Sequence, residues 1–290
     1  MFLTEKAKSF KTDLLIIGRG FIGTYVQNLC TKQNVECVST TRDGREGTIE
    51  YELPDESVPF EEFVKAANKL PYAKTLLLTF PIKGKKLMRN FIESYRVSHS
   101  SGPQNSQLIY LGTTGVFTKI PSDRHTERDP TVNPERQESE NVLIEEYEGT
   151  VLYLSGLWGG NRDPRNWVRF YKTEEAIEKR IKNRTLHLIH GEDVANGIVN
   201  GLLQNFTKGE RWIISHPECY DMLEILVKHL DKDNLELLKR VIAQPNMRKY
   251  VNSPKIEELK FGKDACLQRR VDPDEFWKTF GLEPSFRFEP

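Results

Sequence analysis

The chain has 290 residues, of which 38% are apolar and 29% charged, and its 42 basic residues balance 42 acidic ones. That length is enough for one large core or a domain plus a lobe. A zero net charge gives no electrostatic ground for nucleic-acid binding, whose footprint is a basic face. No apolar run approaches the roughly 20 residues that cross a bilayer.

The start, MFLTEKAKSFKTD, is too polar for a secretory signal, and a cytoplasmic protein without membrane contact is the expectation. Next comes DLLIIGRGFIGTYVQ, a short apolar run that breaks into Gly18, Gly20 and Gly23 and then into a helical pattern. Strands are predicted at Leu14 to Ile17, Val35 to Ser39, Thr48 to Tyr51, Thr75 to Phe80, Gln107 to Leu111 and Thr150 to Leu154. Between them, Phe21 to Lys32, Phe60 to Leu70 and Lys86 to Val97 place apolar residues three and four apart, as amphipathic helices do. Strands that alternate with helices specify an α/β fold, a doubly wound parallel sheet with right-handed crossovers.

The pattern changes after Leu154. Arg162 to Arg180 is polar and partly helical, with a charged, solvated face at Glu174 to Arg180. Gly191 to Leu203 reads as an amphipathic helix, Arg211 to Ser215 as one more strand, and Tyr220 to Leu230 and Leu235 to Ile242 as helices. A last helix, Asp274 to Phe280, follows Pro273, a residue suited to a helix start. The division expected is a dinucleotide-binding domain over residues 1–215 and a small, mostly helical substrate lobe over 216–290.

The glycine spacing G-x-G-x-x-G after a strand and before a helix is the context of a dinucleotide turn. The first glycine permits the tight turn, the second lets the backbone approach a pyrophosphate, and the third lets helix and strand pack closely. Gly18, Arg19, Gly20, Phe21, Ile22 and Gly23 are therefore candidate cofactor residues. At the end of the second strand the chain reads Ser39-Thr40-Thr41-Arg42, without the acid that binds a ribose 2′-hydroxyl in NAD sites. Thr41, Arg42 and Arg19 suit a 2′-phosphate, so NADP is the cofactor expected. Thr79, Phe80 and Pro81 end the fourth strand, where ligands of open parallel sheets bind.

The four cysteines, Cys30, Cys37, Cys219 and Cys266, form no C-x-x-C pair, and neither a metal nor a disulfide is expected. Asp193 is placed to cap the helix that starts at Gly191.

Several segments, taken in order, resemble the atypical extended short-chain dehydrogenases/reductases, the NAD-dependent epimerase/dehydratase-like group of Rossmann proteins. These are IYLGTTGVF, NPERQESENVL, LYLSGLWGGNRDP and LHLIHGEDVANGIVNGL, with VNSPKIEELKFG near the end. The resemblance spans about residues 12–280. It implies an NADP-binding oxidoreductase or epimerase-like protein acting on a small metabolite, a sugar or carbonyl compound. It also implies a homodimer of the kind such proteins form through helices beside the sheet.

The resemblance puts Thr113 at the family's catalytic Ser/Thr position, near both cofactor and substrate, with Thr114 beside it. It sets Trp158 near the nicotinamide, as a wall of the substrate pocket or as core. The family's Tyr-x-x-x-Lys has no counterpart: Val132 falls at the Tyr position and Arg136 at the Lys position. Valine donates no proton, and arginine keeps its charge where lysine titrates. Tyr110, His125, Glu127, Arg136 and Tyr153 are the substitutes to weigh, with the two tyrosines inside strands. The alternative reading is a catalytically silent NADP-binding sensor or scaffold.

Overall fold

The computed structural model describes residues 10–100, 105–262 and 269–290. A seven-stranded sheet, with every pairing parallel, forms its centre. Its strands are β1 (Thr12–Ile17), β2 (Cys37–Thr41), β3 (Ile49–Glu50), β4 (Ala73–Leu78), β5 (Gln107–Thr113), β6 (Thr150–Leu154) and β9 (Arg211–Ile214), in the order β3-β2-β1-β4-β5-β6-β9. The order reverses between β1 and β4. At such a switch point the crossovers leave a crevice beyond the carboxyl ends of the strands.

The apolar runs are continuous because the sheet is covered on both faces. Leu15 and Ile17 of β1 face one core, together with Leu76, Leu78, Tyr110 and Tyr153. Leu14 and Ile16 face the other, with Leu77, Ile109 and Leu152. The first core is closed by α2 (Phe60–Ala67), α3 (Lys85–Ser98) and α4 (Pro134–Tyr147), which contribute Ala66, Phe91 and Leu143. The second is closed by α1 (Phe21–Gln33), α6 (Gly191–Asn196) and α9 (Asp274–Phe280), which bring Val26, Val194 and Phe276.

The helix expected over Gly191 to Leu203 changes pitch midway: α6 passes into a π-helical turn, Gly197–Leu202. A Cβ on Gly197 would stand 3.0 Å from the Phe276 ring and one on Gly201 3.3 Å from Phe280, so the two glycines admit the aromatic face of α9.

A second sheet, in the order β10-β8-β7, was not expected. It consists of β7 (Gly156–Trp158), β8 (Thr185–His190) and β10 (Cys219–Asp221). With α5 (Glu174–Lys182), α7 (Met222–His229) and α8 (Lys232–Ala243) it encloses a third core. Ile177, Ile181, Leu186 and Leu188 stand in this core beside Leu226 and Leu238, so residues on both sides of the boundary expected at 215/216 build it.

Cys30 and Cys37 carry free thiols, and Cys266 lies outside the described residues. Among the described residues, no helix is long and apolar enough to cross a membrane.

Candidate functional site

The turn after β1 is stitched to its two neighbouring strands. The Gly18 N–H donates to the Thr40 hydroxyl at 3.0 Å and the Arg19 N–H to the Thr40 carbonyl at 2.7 Å. From the other side, the Thr79 hydroxyl donates to the Gly18 carbonyl. Gly18 has φ +96°, and a Cβ there would stand 2.8 Å from the Thr79 hydroxyl and 2.9 Å from the Phe80 ring. A Cβ on Gly23 would meet the Gly18 carbonyl at 2.9 Å, so the third glycine lets helix and turn pack. Gly20 differs: a Cβ there would meet nothing within 4 Å. Its open side faces a cleft. It also caps α1 without any side-chain hydrogen bond, and no acid stands in the helix's first turn. The N–H groups and positive dipole end of α1 are thus left for an anionic ligand.

The cleft has a volume of about 670 Å³ and occupies the β1/β4 switch point. Of the expected cofactor residues, Gly18, Arg19, Gly20, Phe21, Thr41, Arg42, Thr79, Phe80 and Pro81 line it. Ile22 is buried in the second core, and Gly23 acts through packing.

Arg45, Tyr51, Glu52, Leu53 and Arg162 on the wall escaped the sequence reading. Arg45 follows Arg42 closely, and Arg162 belongs to the GGNRDP run, but both sit in loops where arginine is ordinary. Arg162 lies 4.1 Å over the Phe21 ring. A second cleft of about 610 Å³ continues along α1 past Thr24 and Asn28.

Four guanidiniums, Arg19, Arg42, Arg45 and Arg162, therefore surround the switch point. Acids answer three of them: Glu46 pairs with Arg19, Glu52 lies 3.5 Å from Arg42, and Asp43 pairs with Arg45 at 3.1 Å. The Thr41 hydroxyl holds the Asp43 carboxyl below its ordinary pKa.

At the end of β5, Thr113 does not line this cleft. Its hydroxyl accepts from the Gly115 N–H at 3.2 Å and caps the 3-10 turn Thr114–Val116. Thr114 is buried, and its carbonyl accepts from Arg269 at 2.8 Å. Arg269 also donates to the Phe117 carbonyl at 2.9 Å, and burial depresses its pKa. This clamp on the β5 turn comes from far along the chain, and sequence spacing gave no sign of it.

Most of the substitutes for the missing Tyr-x-x-x-Lys are engaged elsewhere. Val132 packs on the first core. Arg136 donates to the Leu111 carbonyl, and its Nε lies 3.5 Å from the carboxylate of Glu140. Glu140 is fully buried and accepts from Arg128 at 3.0 Å and from the Tyr153 hydroxyl at 2.8 Å. The Tyr110 hydroxyl accepts from the Ile82 N–H at 2.7 Å. His125 lies 3.0 Å from Glu275, and Glu127 pairs with Lys119 at 3.0 Å, both on the exposed loop.

Trp158 packs on the third core, its ring 4.7 Å from His190 and 5.5 Å from Phe288. Asp193 does not cap α6. The His190 ring accepts the Glu192 N–H at 3.2 Å as the cap, and the Asp193 carboxylate accepts from the N–H groups of Ser285, at 2.8 Å, and Phe286. A carboxylate three residues into the helix region was free to bind another segment, which spacing alone did not reveal. Among the described residues no group of three or more His, Cys, Asp or Glu side chains could hold a metal ion.

No protein-family model matches the sequence, and no curated protein matches it. Solved structures do match the fold over nearly the whole chain. A Methylobacillus flagellatus protein, provisionally described as an NAD-dependent epimerase/dehydratase, is 16% identical with a TM-score of 0.61, over 92% of this chain and 91% of that one. UDP-N-acetylglucosamine 4-epimerase from Bacillus cereus is 12% identical with a TM-score of 0.58, over 95% of both chains. UDP-glucose 4-epimerase from Thermus thermophilus, solved in complex with NAD, is 13% identical with a TM-score of 0.55, also over 95% of both. The fold of this chain is the Rossmann fold of these epimerase/dehydratase-like structures.

Proposed function

We propose that this chain binds a nicotinamide dinucleotide at the β1/β4 switch point and takes NADP(H) in preference to NAD(H). The observation that carries the reading is Gly20, whose empty side opens on a cleft between an uncapped helix terminus and Thr79–Pro81. The first turn of α1 would hold the pyrophosphate, and Arg19, Arg42 and Arg45 a 2′-phosphate. Solved structures of similar fold in complex with NAD support a dinucleotide there. The preference for the phosphorylated form rests on the arginines and on the absence of an acid at the end of β2.

On this reading the protein is an oxidoreductase or epimerase-like enzyme for a small sugar or carbonyl compound. A bound dinucleotide supplies hydride chemistry. Thr113 is the hydroxyl assigned to the substrate oxygen, and freeing it costs only its bond to Gly115. A second reading, a silent NADP-binding sensor, is favoured by one observation: Val132 and Arg136 are both turned to structural work.

Isothermal titration with NADPH and NADH, repeated on Gly20→Asp and Arg42→Ala, tests the binding. NADPH binding that is abolished in the first variant and selectively weakened in the second is the expected result. Tighter binding of NADH overturns the preference, and no binding of either overturns the function. A panel of carbonyl compounds and nucleotide sugars then separates the readings. NADPH oxidation or epimerisation that Thr113→Ala removes supports the enzyme. Tight binding with no turnover supports the sensor.

A further inference from the structure

The loop after β5 encloses a second cavity, away from the dinucleotide cleft. Residues 124–128 of the loop, Gln137 of α4 and residues 209–211 at the amino end of β9 line about 410 Å³. Ligand pockets for small molecules start at roughly 300 Å³. In a sheet whose strands are all parallel, the amino end of β9 and the carboxyl end of β1 lie at opposite poles. Four strand spacings also part β9 from β1, about 19 Å at ~4.8 Å each.

Three guanidiniums line the cavity, Arg124, Arg128 and Arg211. Two of them have carboxylate partners. Arg124 pairs with Glu210 and, at 2.7 Å, with Glu275, and lies 4.0 Å over the Trp212 ring. Arg128 donates to Glu140 at 3.0 Å, to Tyr153 at 2.9 Å and to Asn141 at 2.6 Å. Arg211 has no carboxylate partner among the described residues. One of its terminal nitrogens donates to the Asn141 side-chain oxygen at 3.1 Å. Its Nε is shut off from solvent and has no acceptor.

An unsatisfied donor on a charged group is costly, and among the described residues Arg211 is the guanidinium of these three that no carboxylate neutralises. A guanidinium edge matches an oxyanion through two parallel N–H bonds. The nearest acids do not compete, because Glu210 is held by Arg124 and Glu127 by Lys119. We propose that this cavity is a second binding site, for a small metabolite that presents a phosphate or carboxylate group to Arg211 with Arg128 beside it. It is independent of the dinucleotide cleft and would link the loop after β5 to β9 when filled.

The test is thermal unfolding of the full chain in rising sodium phosphate or sodium malonate, against sodium chloride at equal ionic strength. A saturable upward shift with phosphate, malonate or both is expected, and which anion acts tells the group recognised. The shift should persist in Gly20→Asp and disappear in Arg211→Gln. A shift lost in Gly20→Asp and kept in Arg211→Gln puts the anion at the glycine turn and overturns the proposal. So does any response no larger than that to chloride. Hydrogen exchange on the unaltered chain guards against a variant that fails to fold. Phosphate or malonate should protect residues 124–128 and 209–211, and protection confined to 18–24 refutes the site.

Discussion

Arg19 and Glu46 pair across the mouth of the glycine turn, one from the turn itself and the other from the 3-10 turn that follows β2. Glu46 holds a left-handed backbone, φ +52°, to make this contact. Its carboxylate occupies the guanidinium that a 2′-phosphate would use. On the proposed function, binding of NADPH would displace an exposed acid, at a small penalty. Glu46→Gln should therefore tighten NADPH by about two- to five-fold, the scale of an exposed ion pair, with a smaller effect on NADH. Titration of the two nucleotides against both proteins decides it. An equal effect on both would place the 2′-phosphate elsewhere.

Gly20 and Gly23 make a matched pair of tests. Alanine at Gly20 meets nothing in the protein, so stability should hold while NADPH binding weakens by roughly tenfold or more, about 1.4 kcal/mol. Alanine at Gly23 drives into the Gly18 carbonyl, and should cost about 1–3 kcal/mol of stability. Urea unfolding read beside titration separates the two outcomes. Loss of stability in Gly20→Ala would contradict the open side described for that residue.

The third core depends on a buried ion pair. Arg184 donates from Nε to Asp221 at 3.0 Å, and Asp221 also accepts the Leu223 N–H at 3.0 Å as the cap of α7. Removing one partner strands the other charge. Asp221→Ala should lose about 3–5 kcal/mol, measured as the urea midpoint. A loss below about 1 kcal/mol, the scale of an exposed pair, would mean that water reaches Arg184.

His187 should make stability depend on pH. Burial lowers its pKa from 6.5 to about 4. Its Nε2 lies 3.2 Å from the Arg269 carbonyl and 3.3 Å from the Val271 nitrogen. Above pH 6.5 the ring is neutral in both folded and unfolded chains, and its contribution is complete. As pH falls from 6.5 to 4 the unfolded chain takes a proton that the folded one refuses, and up to about 3 kcal/mol is lost. His187→Gln should flatten that part of the stability profile. A profile unchanged by the substitution would show that the ring protonates in place.

Much of the seven-stranded sheet and its glycine turn was legible in the sequence, for a physical reason. Strands covered on both faces are apolar at every position, so Leu14–Ile17 and Leu76–Leu78 stand out without any knowledge of their partners. The three glycines are fixed by local sterics, which spacing reports directly. Strands of the second sheet were invisible because β7 and β10 have three residues each and find partners far along the chain. The same holds for Arg45, Arg162 and Arg269: nothing in the sequence separates an arginine over a cleft from one in solvent. The roles of Arg136 and Tyr153 depend on Glu140 being buried between them, and burial is decided by packing rather than by spacing.

The seventh strand bears on how the molecule behaves in a crowd. A rim strand offers unpaired carbonyls and amides to any extended segment that drifts past, the usual seed of fibrous stacking. Here Arg124 donates to the Arg211 carbonyl at 3.1 Å and lies 4.0 Å over the Trp212 ring, while the opposite rim, β3, is only two residues long. A neighbouring chain that tried to extend the sheet past β9 would first have to peel that guanidinium away and break its bonds to Glu210 and Glu275. The arginine that lines one side of a cavity thus also covers the open edge of the sheet.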